Sequence, residues 1–331
     1  MLPLPYLAWL AVCLIWGTTY LGIRVALESI PPALVGGIRW TIAGALLAIV
    51  LRARGQALPA PEKWGGFALA GLLLIGFGNG AVIFAEQWVP SGIAAVIIGA
   101  SPFWMMGIEA LVPGGERLTR RGLAGLLIGF GGIVLLVWPD LTVGGAVGRQ
   151  FAIGVVLLQI ACLGWSAGSV YARRYAREDN ALGGSALQMF FAGVMMLALA
   201  TIRGEWANLA FTPRALAAEI YLTVVGSLLA YSAYLYAIKH LPLSTVSLYS
   251  YINPVIAVVL GSLLLGEPFG LRIVIAAAAV LAGVAVVKLN TVKWNSATST
   301  GATATGQQAT GRATAARPAT ENSDVRRRVA R

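Results

Sequence analysis

An ionisable side chain inside a long apolar run is costly to keep there and by default suggests function. Glu86 closes the apolar run that begins at Gly65, on a helical face shared with Asn79 and Ile83 at spacings of seven and three residues. A carboxylate so placed can bind a cation or exchange a proton in a dry cavity; the plainer alternative is an acid at a membrane interface paired with a loop base. Arg39 stands about two turns into the preceding run. Its guanidinium can meet a carboxylate through two parallel hydrogen bonds, although snorkelling to the headgroups is the simpler reading. Lys239, next to His240 at a helix end, serves equally well as a gate or an interfacial anchor, so Arg39 and Lys239 are the candidate charge partners. Glu109 is close enough to the end of its run to reach the headgroups, and Glu116 and Glu267, each after a glycine, read as helix-start or inter-helix pairing acids.

Uncharged polar and aromatic residues are denser than a lipid-facing surface tolerates. Trp16 with Tyr20, Trp165 with Ser169, and Ser227 with Tyr231 and Tyr234 each share a helix face at i, i+3 or i+4 spacing. Ser247, Ser250, Tyr251 and Asn253 follow, so Tyr231, Tyr234, Tyr249 and Tyr251 offer an apolar wall with hydroxyls. With Asn79, Glu86, Gln87 and Ser101 on the other side, the lining suits a small molecule with one polar end and one apolar body. Interhelical packing with satisfied hydroxyls is the alternative for any one of them. Pro102 and Pro254 each remove a backbone donor about three turns into a run, with Ser101 and Asn253 beside them, and are the candidate hinges.

Other chemistry is excluded. GFGNGA at Gly76 has dinucleotide-loop spacing but lies inside an apolar run with no preceding strand. Ser101 in GASP lacks a plausible partner, since the only histidine, His240, sits at a helix end. No lysine follows a glycine, so there is no Walker A loop, and no cluster of metal ligands or nucleophiles suggests a cofactor, a metal or an enzyme. The net charge of +11 lies in short connections and the tail rather than on a soluble face, which argues against nucleic acid.

The elements that must position these residues are membrane helices. Hydrophobic residues make up 58% of the 331 and charged residues 11%, against about 25% charged in soluble domains. Ten runs are long enough to cross a bilayer: approximately 6–24, 33–51, 65–85, 91–112, 121–138, 151–172, 183–202, 215–237, 243–265 and 270–289. Cys13 and Cys162 lie mid-run at corresponding places and read as packing residues, not a disulfide. The first run has no basic flank or cleavage site before or after it and reads as a span.

Much of the chain is written twice. WVPSGIAAVIIGASP from Trp88 is echoed by HLPLSTVSLYSYINP from His240, and Trp16, Arg24 and Gly44 fall on Trp165, Arg173 and Gly193 at an offset of 149. Five runs per half is odd, so the halves must enter the membrane from opposite sides, the inverted-repeat plan of many secondary transporters. Lysine and arginine in the connections divide twelve against five, which places both termini in the cytoplasm. From Asn290 the composition turns to Thr, Ala, Gly, Ser and Arg, a tail with too little apolar content to order itself.

The runs IWGTTYLGIRVALESIPP, GNGAVIFAEQWVPSGIAAVI and AYLYAIKHLPLSTVSLYSYINPVIAVVLG resemble the EamA-type drug/metabolite transporters, and within them the YedA-like bacterial inner-membrane permeases. The resemblance covers residues 6–289. It implies an all-α integral membrane fold of ten helices in two inverted five-helix repeats, 1–148 and 149–289, followed by the cytoplasmic tail 290–331. It further implies a bacterial inner-membrane location, a central cavity between helices 1, 3, 4, 6, 8 and 9, and transport driven by ion or substrate gradients, with the proton a candidate coupling ion. The expected function is export of small amphipathic metabolites, amino acids or drug-like compounds, by alternating access. An intramembrane enzyme and a lipid-handling scaffold or flippase are the alternatives.

Overall fold

The computed structural model describes residues 3–113, 120–175, 180–241, 246 and 248–286, with the backbone alone at 173–175, 235, 238 and 239. Ser247, Glu116, the 176–179 connection and the tail therefore lie outside the described residues, and Lys239 is described by its backbone only. Among the described residues there is no strand. In hydrocarbon a backbone must satisfy its own polar groups, and an apolar helix does so within one segment.

Among the described residues eight helices are long and apolar enough to cross a membrane: α1 Leu4–Ala26, α2 Pro32–Ala53, α3 Pro61–Ala85, α4 Ser91–Leu111, α5 Arg120–Leu141, α6 Gly145–Tyr175, α7 Ala181–Ile202 and α8, residues 213–240. Two shorter apolar helices follow, α9 Tyr249–Leu265 and α10 Leu271–Val286. Prolines in the first turn open α2 and the 213–240 helix, where their missing N–H costs nothing. Gly204 and Gly266, at φ +67° and +64°, turn the chain out of α7 and α9 in a conformation open to glycine and strained for other residues.

Three features go beyond the sequence reading. The continuous part of α9 runs from Tyr249, and most of 242–247 lies outside the described residues. Pro102 does not bend a continuous helix: α4 breaks at Gly99–Ala100, and Pro102 opens a second segment, Ser101–Leu111. Pro254, in contrast, lies inside unbroken α9. Third, α3 and α8 each contain a π-helical stretch, Leu72–Gly80 and Leu222–Leu229, at corresponding positions. Such widened turns are uncommon and frequently mark functional sites.

Helices from the two sequence halves pack across each other, α2 on α7, α1 on α9, α4 on α9, and α6 on α3 and α4. Glycine makes these approaches close: a Cβ at Gly37 would stand 2.9 Å from the Leu197 nitrogen, and one at Gly92 would stand 2.9 Å from the Val258 Cα. At the end carrying the α1–α2, α3–α4, α5–α6, α7–α8 and α9–α10 connections, polar side chains lace neighbours together. Glu205 accepts from the Ala33 and Leu34 nitrogens at 2.8 and 3.2 Å and pairs with Arg203 at 3.0 Å. Glu267 accepts from the Ser91 nitrogen, the Ser91 hydroxyl and the Gly92 nitrogen at 2.8, 2.9 and 3.0 Å. Both carboxylates satisfy the open N–H groups at the start of a facing helix, so Glu267 is an inter-helix pairing acid. Arg272 and Asp140 pair at 2.9 Å, and Arg24 donates to the Glu86 carbonyl.

Candidate functional site

Four aromatic rings from three helices meet in the interior. Trp16 of α1 lies 5.2 Å from Tyr234 of α8 and 5.0 Å, edge on, from Tyr249 of α9. Tyr234 contacts Tyr249 at 6.0 Å and Tyr231 at 6.1 Å. These separations suit edge-to-face packing, and the group presents hydroxyls and π faces together. Tyr20, one turn along α1 from Trp16, lies within electrostatic range of Glu86, Cys162 and Tyr249. Of the tyrosines singled out from sequence, Tyr251 packs against the main apolar core, as Tyr20 and Tyr231 also do. Residues two apart on a helix point about 200° apart, so Tyr249 and Tyr251 cannot both face Trp16.

Beside the prolines, side chains bridge to the cysteine-bearing helices. The Ser101 hydroxyl donates to the Ile98 carbonyl at 2.6 Å and approaches Cys162 Sγ at 3.5 Å, and Ser166 donates to the Ser101 carbonyl at 3.1 Å. In the matching place the Asn253 amide nitrogen donates to the Tyr249 and Cys13 carbonyls, both at 3.0 Å. Ser101 and Asn253 thus satisfy carbonyls in the disturbed turns. Cys13 and Cys162 are both buried free thiols.

Arg39 does not snorkel: it is 2% exposed, with its Nε donating to the Ser227 hydroxyl at 2.8 Å and its guanidinium 4.3 Å from the Trp40 ring centroid. Ser227 in turn donates to the Leu222 carbonyl at 3.0 Å, five residues back, as the π turn allows. Glu219, also on α8, is 3% exposed and within Coulombic range of Arg39. Glu86 is fully buried, and Arg24 and Arg39 are within range of it. Arg39 Nη1 and both carboxylate oxygens of Glu86 and of Glu219 complete no hydrogen bond among the described residues.

Glu219 is the residue sequence reasoning passed over. Its signal was present, since Glu219, Thr223 and Ser227 recur every four residues along one face, and Leu216, Ile220 and Val224 occupy the outward one. The remaining candidates disperse. The Asn79 carbonyl oxygen accepts from Trp40 Nε1 at 3.2 Å, tying α3 to α2. Gln87 donates to the Phe84 carbonyl at 2.9 Å and lines two clefts of about 370 and 260 Å³ at the laced end, away from the aromatic group. Trp165 packs through its backbone against Gly78 of α3, and Ser169 donates back to the Trp165 carbonyl at 2.7 Å. Trp104 donates to Gln159 at 3.1 Å, a polar contact between α4 and α6 that was not anticipated.

The EamA-like transporter family model matches this chain twice, over residues 3–138 and 152–289. The uncharacterized inner membrane transporter YedA of Escherichia coli K12 is 37% identical over 258 residues, covering 78% of this chain and 81% of that protein. The uncharacterized transporter YvbV of Bacillus subtilis is 25% identical over 84% of this chain and 89% of its own length. A probable amino-acid metabolite efflux pump of Salmonella typhimurium is 25% identical over 84% and 92%. A solved crystal structure shares the fold at a TM-score of 0.62 and 23% identity, covering 88% of this chain and 98% of that one.

Proposed function

The chain belongs to the EamA-like transporter family, as a multi-pass membrane transporter and not an enzyme, and from that premise we propose that it exports small amphipathic metabolites, amino acids or drug-like compounds, by alternating access. The observation that carries the substrate reading is the ring group of Trp16, Tyr234 and Tyr249, with Tyr231 at its edge. Its faces hold an apolar body, while Tyr20 and Glu86 offer a polar end. Ser101 with Pro102 and Asn253 with Pro254 are the places where α4 and α9 change direction as access alternates. Glu86 is a candidate proton carrier, because a fully buried carboxylate with no hydrogen bond among the described residues is held more easily when neutral. The efflux assignment of the Salmonella relative supports export.

In this proposal the ten apolar helices all span the bilayer as two inverted repeats, 1–148 and 149–289, with both termini cytoplasmic. The twofold family match and the lysine and arginine count support that arrangement. Reporter fusions after residues 57, 118, 178 and 293 are expected to read cytoplasm, and those after 29, 145 and 208 periplasm. Both halves in one orientation would end the inverted-repeat reading. The substrate is tested by counterflow into liposomes holding the purified protein, with amino acids, cationic dyes and nucleosides as probes. Uptake of only nucleosides would overturn the substrate class.

A further inference from the structure

A second buried carboxylate, distinct from Glu86, is built into the α2–α8 contact. Arg39 is held on one side by Ser227, whose hydroxyl both donates to the Leu222 carbonyl and accepts from Arg39 Nε. Eight residues back on the same face of α8, Glu219 lies within Coulombic range of the guanidinium and close to the Arg39 backbone, yet its two oxygens and Arg39 Nη1 complete no hydrogen bond of good geometry among the described residues. An ionised carboxylate and a guanidinium buried together without a bond between them is the costly way to arrange two charges, because the desolvation of both is met by little direct contact. The arrangement is far less costly if the carboxylate carries a proton.

We infer that Glu219 is a proton-binding site whose occupancy decides whether Arg39 is held by Ser227 or by Glu219. With the proton on, one carboxylate oxygen is a hydroxyl, the pair is broken, and the guanidinium rests on Ser227 as described here. With the proton gone to water, the free carboxylate draws Arg39 off Ser227 into a charge-assisted hydrogen bond. No covalent bond other than O–H changes, and arginine keeps its charge throughout.

The surroundings fit this exchange. Glu219 lies six residues into α8, about 9 Å along its axis, so a proton has a short way to travel from the helix start. Two helices pack against this stretch of α8, namely α1 and α2. From α2 the facing charge is Arg39. From α1, Tyr20 and Arg24 lie within range of Glu86 instead, and Thr18 is hydrogen-bonded to Tyr221. Glu86 and Tyr221 are in turn within range of Arg39. Arg39 thereby ties α2 to α8 in both protonation states, at Ser227 in one and at Glu219, nearer the start of α8, in the other. Its use in driving transport rests on the transporter reading; the proton site itself does not.

The test reads the proton directly. Full-length protein in phosphatidylcholine vesicles, followed by infrared difference spectroscopy between about pH 5 and pH 9, is expected to show a protonated-carboxyl band that grows as pH falls. A component of the band should vanish in Glu219→Gln, persist in Glu86→Gln and titrate at a displaced midpoint in Arg39→Gln. A Glu219→Gln spectrum identical to that of the parent, or no titrating band at all, overturns the proposal. Glu219→Asp retains a carboxyl and must keep a displaced band, so the outcome does not depend on the Gln variant folding. Failure of counterflow with the band intact would remove the exporter reading and leave the proton site standing.

Discussion

The π-helical stretches of α3 and α8 occupy corresponding places in the two sequence halves, and they are used differently. In α3, Leu72–Gly80 takes the backbone of α6 against itself. A Cβ at Gly164 would stand 2.7 Å from Phe77 Cβ and 2.9 Å from the Leu73 carbonyl oxygen, and one at Gly168 would stand 2.9 Å from the Leu74 nitrogen. Two glycines four residues apart are the usual means of bringing membrane helices into backbone contact. In α8 the equivalent joint with α1 has Thr19 where α6 has Gly168, at the repeat offset of 149. There a Cβ at Gly226 would meet Thr19 Cγ2 at 3.0 Å and Arg39 Nη2 at 3.5 Å. One joint is closed by backbone; the other is filled by Thr19, Thr223, Ser227 and Arg39, all buried. Duplication supplied the same widened turn twice, and the sequence then committed one to packing and the other to polar groups.

Breaking the packed joint has the largest expected effect. Gly164→Leu or Gly168→Leu drives a branched side chain against the α3 backbone as well as the Phe77 or Leu74 side chain, and the backbone cannot yield. Overpacking costs about 1–3 kcal/mol in soluble cores, and an obstruction made of backbone puts these variants at the upper end or beyond it. Little folded, monodisperse protein should be recovered in detergent. Gly226→Ala in the other joint meets the ends of side chains and should be recovered close to parental yield. Equal losses in both would erase the distinction between the joints.

Removing Ser227 sharpens the contrast from the polar side. Ser227→Ala leaves Arg39 Nε without its acceptor in a buried site, at about 1–3 kcal/mol for an unsatisfied group. A fall in thermal midpoint is expected. Where Arg39 can turn to Glu219 instead, part of that loss is recovered, so Ser227→Ala combined with Glu219→Gln should lose more than the two single variants added together. Strict additivity would show that Ser227 and Glu219 do not share Arg39.

Much of this was legible in the sequence, for a physical reason. Spans, loops and the doubled pattern follow from hydropathy and from prolines and glycines at fixed offsets, and those signals are local. The meeting of Trp16 with Tyr234 is a partly local signal as well, since both lie on polar stripes of otherwise apolar helices. The rest depends on geometry that a uniform 3.6-residue period does not carry. A π stretch shifts every later residue around the axis, and the α4 break resets its face. Arg39 looked like a snorkelling residue because its two partners lie 180 and 188 residues later on another helix, and nothing in its neighbourhood announces them.

The smallest expected effect concerns the rings, where the comparison passes from stability to selectivity. Tyr234 and Tyr249 stand edge to face at an interplanar angle of 90°, and Trp16 closes the group. Loss of one hydroxyl leaves the apolar wall standing and removes a single hydrogen bond, which is on the order of 1 kcal/mol. Tyr234→Phe and Tyr249→Phe should therefore shift the ratio of transported compounds by a few-fold in competitive counterflow, without lowering the thermal midpoint as Ser227→Ala does. Ala at either position also removes part of the wall and should cost more. Tyr251, about 200° around α9 from Tyr249, serves as the internal control: its Phe variant should leave the ratio unchanged. If Tyr251→Phe alters selectivity while Tyr249→Phe does not, the substrate contacts the other face of α9 and the ring group is packing.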